Sequence, residues 1–362
     1  MKVLVGFSGG VDSAYSVHLL KEAGYEVECA TLVMHEYTEL DSAVDLAARL
    51  GVKLNVIDCR EPFDRIVKAN FISEYTKGRT PNPCIICNEQ VKLKYLYEYA
   101  VQNGFDLIAT GHYARLYKAV GTELLPYDAT TDYDGTAKVF VGMPEDKSKD
   151  QSYMLWRVPM HILSRLVLPL ANSEKREIKE KISHLLPTLE GKRESQEICF
   201  INGGDYADYI EQRLGKSPKG SFIDESGNIL GAHEGIIRYT VGQRKGLGIS
   251  AKGRLFVTKI DADRNEITLS LEDKYYSYVR LSDVILYGER VAEISSPIQC
   301  SVKLRYAQKP ISATVTFVSS GFVINLDTPV RAVTAGQSAV FYDNGVVIGG
   351  GIIERGCLEH GV

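Results

Sequence analysis

Val3-Leu4-Val5-Gly6-Phe7, followed at once by Ser8-Gly9-Gly10-Val11-Asp12-Ser13, is an apolar strand pattern that turns through two glycines into a helix. Such a turn leaves several backbone N–H groups and the positive end of a helix dipole aimed at one spot, which suits a phosphate. Gly9 and Gly10 permit φ > 0 and close approach of an anion, Ser8 and Ser13 add hydroxyl donors, and Asp12 is a carboxylate of the kind that holds Mg²⁺. It is not a Walker A loop. The chain's Gly215-Lys216-Ser217 has Ile210 where that motif needs its first glycine.

Outward from this stretch the first half alternates short apolar runs with helical patterns. Strands are expected at residues 2–7, 27–34, 53–58 and 106–110, and helices at 12–23, 40–50, 62–76 and 89–102. Gly24, Gly51 and Gly104 each follow a helical stretch, as helix-ending glycines do. The pattern is that of a doubly wound α/β domain with a parallel sheet, whose ligands bind beyond the carboxyl ends of the strands. Ser8 to Ser13, Met34 and Thr110-Gly111-His112 gather there. Residues 145–190 read as helical and polar, and Gly203-Gly204 and Gly215 to Gly220 break up a short mixed segment. From about 275 the chain alternates as strands such as Ser312 to Val318, with turns such as Asp343-Asn344-Gly345, which predicts a small C-terminal β-barrel. The expected division is 1–200, 201–274 and 275–362.

At 362 residues, with 44% apolar and 24% charged residues, the composition is that of an ordinary multidomain globular protein. No apolar run reaches membrane-span length and no signal-peptide pattern opens the chain, so a cytoplasmic location without a membrane partner is expected. The net charge is −4, yet from Arg238 to Ile260 there are six cations (Arg238, Arg244, Lys245, Lys252, Arg254, Lys259) and no Asp or Glu. A solvated loop is the ordinary explanation. A basic run with glycines at 242, 246 and 248 also suits a phosphate backbone.

Seven cysteines, an odd number, argue for metal or reactive thiols rather than a disulfide framework. Cys29, Cys59, Cys300 and Cys357 stand alone in strand-like contexts and read as structural. Cys84 and Cys87, in Thr80-Pro81-Asn82-Pro83-Cys84-Ile85-Ile86-Cys87-Asn88, sit at an expected helix N-terminus, which lowers thiol pKa and favours a thiolate. No second ligand pair follows at zinc spacing. Cys199, in Ser195-Gln196-Glu197-Ile198-Cys199-Phe200, falls at the expected domain seam, where a mobile reactive thiol and a buried core thiol are both open readings.

The loop Ser8 to Ser13 resembles that of the ATP pyrophosphatases, which split ATP into AMP and pyrophosphate and use AMP to activate a carbonyl oxygen. Six motifs in order, at Ser8 to Ser13, Pro81 to Asn88, Gly111 to Arg115, Lys149 to Tyr153, Ser195 to Phe200 and Tyr239 to Gly248, make nearly the whole chain similar to one family within that group, the tRNA-specific 2-thiouridylases of the MnmA type. The resemblance implies ATP-dependent sulfur transfer to C2 of wobble uridine 34 in tRNAs for Lys, Glu and Gln, with a fold of nucleotide domain, small central domain and β-barrel. It implies ATP contacts from Gly6, Phe7, Ser8, Gly9, Gly10, Val11, Asp12, Ser13, Met34 and Gly111, with Mg²⁺. Cys87 is then the nucleophile and Cys199 the carrier of a persulfide. Asn82, Pro83, Cys84 and His112 lie by the base. Lys149, Asp150, Gln151, Arg305, Tyr306 and Gln337 touch tRNA, and Arg244 and Lys245 add the basic footprint. The sulfur donor is a partner such as a cysteine desulfurase or a relay protein. The family commonly has Asp at the position of Cys84, so Cys84, Cys87 and Cys199 also permit a [4Fe–4S] cluster, and both routes stay open here. An ammonia-dependent synthetase leaves the thiols and the basic run unexplained, and an RNA-binding module without catalysis leaves Ser8, Asp12 and both cysteines unexplained.

Overall fold

In the computed structural model, strand β1 (Lys2–Gly6) has Val3, Leu4 and Val5 wholly buried, as a strand covered on both faces requires. The structure describes all residues except 122, 187–188, 190–197, 288–295, 320 and 358–362, and the side chains of 183 and 184. Ser195-Gln196-Glu197 of the fifth motif therefore lie outside the described residues. By their contacts the residues fall into two units: Met1–Val67, Cys84–Phe200 and Asp343–Ile348 form the first, and Lys68–Pro83, Ile201–Tyr342 and Gly349–Val362 the second.

In the first unit, β1 leads into α1 (Val11–Glu22), β2 (Glu26–Val33), α2 (Leu40–Arg49) and β3 (Leu54–Asp58). A short helix α3 (Pro83–Cys87), whose first residue clusters with the second unit, continues through a wider five-residue turn at Asn88–Lys92 into α4 (Leu93–Gln102), and β4 (Leu107–Thr110) follows. With the two-residue strand β8 (Leu166–Val167), the sheet has order β3-β2-β1-β4-β8, every pair parallel. Chain order reverses between β1 and β4, and the crevice beyond their carboxyl ends is the ligand position of doubly wound sheets. Gly24, Gly51 and Gly104 end their helices at φ of 83°, 64° and 70°, as expected from sequence.

Two stretches depart from the sequence reading. Residues 115–142 hold an antiparallel set, β5 (Arg115–Val120), β6 (Glu123–Pro126) and β7 (Val139–Gly142), which no expected element covered. Residues 145–190, expected to be polar helix, include the fully buried Tyr153 and Trp156, strand β8 and, among the described residues, one long helix, α5 (Lys175–Leu185), which packs against α1. The prolines and close-spaced apolar residues there make short helical turns inserted in the core, not an amphipathic rod.

The second unit contains the helix α6 (Tyr206–Leu214) and the strands β9 (Gly220–Ile223), β10 (Ile229–His233), β11 (Phe256–Asp261) and β12 (Glu266–Ser270), in the order β10-β9-β12-β11. The segment read as short and mixed is thus a four-stranded sheet whose Phe222, Val257, Ile267 and Leu269 are buried. Then come β13 (Tyr275–Leu286), β14 (Ile298–Lys303), β15 (Ile311–Val318), β16 (Gly321–Arg331), β17 (Ser338–Asp343) and β18 (Val346–Cys357). They neighbour in the order β13-β16-β15-β14-β17-β18, and β18 pairs back onto β13, closing the expected barrel and leaving no free edge among these strands. Asn344 and Gly345, at φ of 48° and 83°, make the tight turn read from Asp343-Asn344-Gly345.

The phosphate-loop turn depends on one glycine. Gly9 has φ of 69°, and a Cβ there would stand 3.2 Å from the Ala43 backbone at the start of α2. Gly9→Ala combines a left-handed backbone with a steric conflict, and is expected to cost about 1–3 kcal/mol. Urea unfolding followed by circular dichroism checks this; an unshifted midpoint means the turn relaxes without strain.

Candidate active site

The loop between β1 and α1 is held from below. Phe7 donates its N–H to Ala30 O at 2.8 Å and accepts at its carbonyl from the Thr31 hydroxyl at 2.8 Å, fixing the chain as it leaves the sheet. Ser13 Oγ donates to Gly10 O at 3.0 Å and lies 3.4 Å from Ser8 Oγ, so both hydroxyls flank the glycines. Asp12 lies in the first turn of α1, and its Oδ1 accepts from the Tyr113 hydroxyl at 2.7 Å and from Lys175 Nζ at 2.5 Å. The Lys175 side chain is only 8% exposed, a buried cation brought to the loop by the first residue of α5. Gly111 closes the other side: a Cβ there would come within 3.0 Å of the Asp12 backbone. Gly6, Phe7, Ser8, Gly9, Gly10, Val11, Asp12, Ser13 and Gly111 thus share one end of the first unit.

Sequence reasoning missed Lys175 and the role of Tyr113. Lys175 begins a helix rich in charge, where nothing separates it from Arg176, Lys179 or Lys181. Only the packing of α5 on α1 selects it.

The stretch after Gly111 is clamped too. Tyr113 N–H donates to Gln151 Oε1 at 2.9 Å and Gln151 N–H donates to Tyr113 O at 2.8 Å. Asp150 is buried and accepts from Ser152 N–H at 2.9 Å and Ser152 Oγ at 2.6 Å. Asp150 and Gln151 therefore use their side chains within the fold. His112 Nδ1 lies 2.9 Å from Thr110 Oγ1, and burial, with Lys92 nearby, drives its pKa down to about 3, so the imidazole is neutral.

Cys87 is buried and donates its thiol to Met34 Sδ at 3.7 Å, placing it at the residue that follows β2. Its pKa is pushed up to about 12 by burial, against a smaller opposing pull from Lys92. Packing raises that of Cys84 as well, although its surface is exposed. Both directions oppose the thiolate expected at a helix N-terminus. Cys87 ends α3 instead of starting it, so the N-terminal dipole does not reach it. Lys92 closes the wider turn that follows, is half-buried, and has no ion-pair partner among the described residues. It is the cation of this site, and sequence alone did not mark it. The turn is pinned by Asn88 Nδ2 donating to Met154 O at 3.0 Å and by the Arg157–Glu89 pair at 2.9 Å.

Cys199 is exposed, and the next residue, Phe200, is fully buried with its ring 5.5 Å from Phe63. The charge of Cys199 adds a small upward push to the Cys87 pKa, after burial. Cys29 and Cys59 are buried, each pushed up to about 12, as structural thiols are. Among the described residues no three His, Cys, Asp or Glu side chains gather as a metal site, so Cys84, Cys87 and Cys199 are not a preformed ligand set for a cluster.

In the second unit, Gln337 Nε2 donates to Thr80 O at 2.8 Å and Pro81 O at 3.3 Å, bracing the chain just ahead of Asn82-Pro83. The basic run is smaller than its sequence count. Arg238 pairs with Asp208 at 2.8 Å and Glu211 at 2.7 Å on α6, and Lys259 with Asp261 at 3.0 Å. Arg244, Lys245, Lys252 and Arg254 are exposed and have no ion-pair partner among the described residues. Tyr306 is 37% exposed, and Arg305 donates to Ala332 O and Thr334 Oγ1. No helix among the described residues is long and apolar enough to cross a membrane.

Three family models match the chain: the tRNA methyl transferase HUP domain over residues 1–203, the tRNA methyl transferase PRC-barrel domain over 207–271, and the aminomethyltransferase beta-barrel domain over 281–353. A tRNA-specific 2-thiouridylase MnmA from Acetivibrio thermocellus is 39% identical, covering 98% of this chain and 99% of the relative. The protein of that name from Clostridioides difficile is 38% identical, over 98% of each. A solved predicted subunit of tRNA methyltransferase from Methanocaldococcus jannaschii is 18% identical with a TM-score of 0.31, over 51% of this chain and 76% of that one, too slight a likeness to carry an argument.

Two outcomes are expected from the geometry. Iodoacetamide at neutral pH labels the exposed Cys199 well before Cys87, and the Cys87 rate climbs steeply as pH rises above the normal thiol range, since only there does its thiolate form. Peptide mass mapping reads both; equal labelling at neutral pH contradicts a protonated, buried Cys87. Lys175→Met leaves Asp12 with Tyr113 alone. Because Asp12 is a third exposed, the cost is expected near 2 kcal/mol, below the full value for breaking a buried pair, and about 4–8 °C in melting temperature. A change within about 1 °C in thermal melting shows that the pair contributes nothing.

Proposed function

Because this chain belongs to the MnmA family of tRNA-specific 2-thiouridylases, we propose that it activates C2 of wobble uridine 34 in tRNAs for Lys, Glu and Gln with ATP and replaces the oxygen by sulfur carried as a persulfide on Cys199. The observation that carries this reading is Cys87, whose thiol touches Met34 at the carboxyl end of the same parallel sheet whose β1 opens into the phosphate loop. A nucleotide site and a protected thiol at one end of one sheet suit adenylation followed by sulfur transfer.

The chemistry follows from what each group can do. The uridine O2 attacks the α-phosphorus of ATP and pyrophosphate leaves, its charge met by the loop N–H groups, the two serine hydroxyls and Lys175. Asp12 keeps Oδ2 without a hydrogen-bond partner among the described residues, which fits one carboxylate contact to Mg²⁺; that ion, when bound, neutralises phosphate charge. The terminal persulfide sulfur of Cys199 bonds to C2 and AMP departs with the former O2. Cys87 then attacks the Cys199 sulfur, the S–S bond to the transferred sulfur breaks, and that sulfur stays on C2 with its electron pair. The thiols end as a Cys87–Cys199 disulfide, which a cellular dithiol must reduce before the next turnover. A raised thiol pKa at rest keeps Cys87 from premature exchange, and Lys92 is the cation placed to stabilise its thiolate when the proton leaves.

Neutral His112 is suited to a hydrogen bond with the uracil edge, and the base must leave its stack to reach it. Arg244, Lys245, Arg305 and Tyr306 are proposed to meet the tRNA backbone, with residues 201–274 and 275–362 as its carriers, and Lys149 of the first unit is proposed to touch tRNA as well. A cysteine desulfurase or a relay protein is the proposed sulfur source, in the cytoplasm. The cluster alternative lacks a preformed three-ligand set among the described residues, which favours the persulfide route.

Cys87→Ser is expected to lower 2-thiouridine formation at least 100-fold while tRNA-dependent pyrophosphate release persists, read by nucleoside mass spectrometry and a pyrophosphate assay on anaerobically purified protein with its iron content measured. Near-normal thiolation by the variant removes Cys87 from the reaction, and about four irons per active chain would replace the persulfide by the cluster.

A further inference from the structure

The second unit holds a pocket of about 150 Å³ whose walls include Arg244, Phe256, Asp273, Arg305, Arg331 and Ala332. Five separate stretches of chain meet there, and three guanidinium groups face one carboxylate. Arg331 Nη1 lies 3.3 Å from Asp273 Oδ2, a long contact between a largely exposed and a partly buried partner. Arg305 is fixed by its donation to Ala332 O and Thr334 Oγ1. Arg244 has no ion-pair partner among the described residues.

The pocket is built by two unusual backbone positions. Ala332, with φ of 54°, takes a left-handed conformation that side chains disfavour, and it turns the chain directly after Arg331. Gly242, with φ of 87°, packs so closely on Ala332 that a Cβ would stand 2.4 Å from the Ala332 Cβ. Strain at one wall and an obligatory glycine at the other bring Arg244 and Arg331 to the same opening. The volume is below the roughly 300–1,000 Å³ of self-sufficient small-molecule sites, so the pocket suits one anionic group of a larger ligand. Converging guanidinium forks match phosphate oxygens in geometry as well as charge.

We propose that this pocket seats one backbone phosphate of the tRNA, with Arg331 as an anchoring residue alongside Arg244 and Arg305. The inference rests on the tRNA reading above and adds a residue that none of the sequence motifs contains. Asp273 holds Arg331 in the free protein and competes with the phosphate for it.

The test is binding of unmodified wobble-uridine tRNA to the full chain, by fluorescence anisotropy over a KCl series, for the wild type, Arg331→Gln, Arg331→Lys and Asp273→Asn, each checked by thermal melting. Arg331→Gln is expected to weaken binding about tenfold at low salt and to make the plot of log K against log [KCl] shallower by about 0.9, the release of one counterion fewer. Arg331→Lys restores the slope but only part of the affinity, because it lacks the fork. Asp273→Asn binds tRNA more tightly than the wild type, a gain that misfolding does not produce. Unchanged affinity and slope in Arg331→Gln, in a protein whose wild type binds and thiolates tRNA, overturns the pocket assignment alone; a wild type that fails to bind tRNA overturns the function on which it rests. Inorganic phosphate at matched ionic strength is expected to compete no better than chloride. Saturable phosphate binding that Arg331→Gln abolishes without altering tRNA binding assigns the pocket to a free anion, and also overturns the proposal.

Discussion

One oxygen of Asp12 accepts both Tyr113 and the buried ammonium of Lys175, and the nucleotide end of the first unit is arranged around that junction. A buried lysine is tolerable only with a partner, because an uncompensated charge away from water costs several kcal/mol. The requirement ties three distant stretches together: the phosphate loop, the strand-end segment at Gly111 to Tyr113, and the start of α5.

The thiol site shows the opposite economy of charge. Cys87 is kept protonated by burial, with a thioether for its neighbour, while Cys199 stands exposed on the residue before a buried aromatic anchor. Exposure and protection are thus divided between the two thiols, which suits the separate roles proposed for them. Lys92 sits where it can moderate that protection, on a widened helical turn of a kind frequent at functional positions.

In the second unit, charge is sorted more finely than composition suggests. Arg238 and Lys259 are absorbed by local carboxylates, whereas Arg244, Lys245, Lys252 and Arg254 remain exposed, and the Arg331 pocket adds cations from a strand outside the basic run. An overall charge of −4 is compatible with a nucleic-acid surface because the field near a groove depends on which charges are left unpaired.

The parallel sheet, its glycine-ended helices, the phosphate loop and the closed barrel were legible in the sequence. Period-two and helical patterns, a positive-φ glycine after each helix and a Gly-Gly strand-to-helix turn are local features, written in contiguous residues. The motifs that hold Cys87, Cys199 and Asp12 were legible as candidates too, because they are short and ordered along the chain. The antiparallel set at 115–142 and the core turns around Trp156 were not, since short strands and helical turns buried all round carry little periodicity. Nor was the protonation state of Cys87, which depends on its place at the end of α3 and on the packing around it. Lys175, Lys92 and Arg331 were invisible for the same reason: a lysine or arginine in a polar stretch looks like its neighbours until folding buries it, leaves it unpaired, or sets it opposite one particular carboxylate. Sequence alone determined which chemistry this chain carries, and the tertiary structure decided which charges are free to serve it, because pairing and desolvation are properties of contacts between segments far apart in the chain.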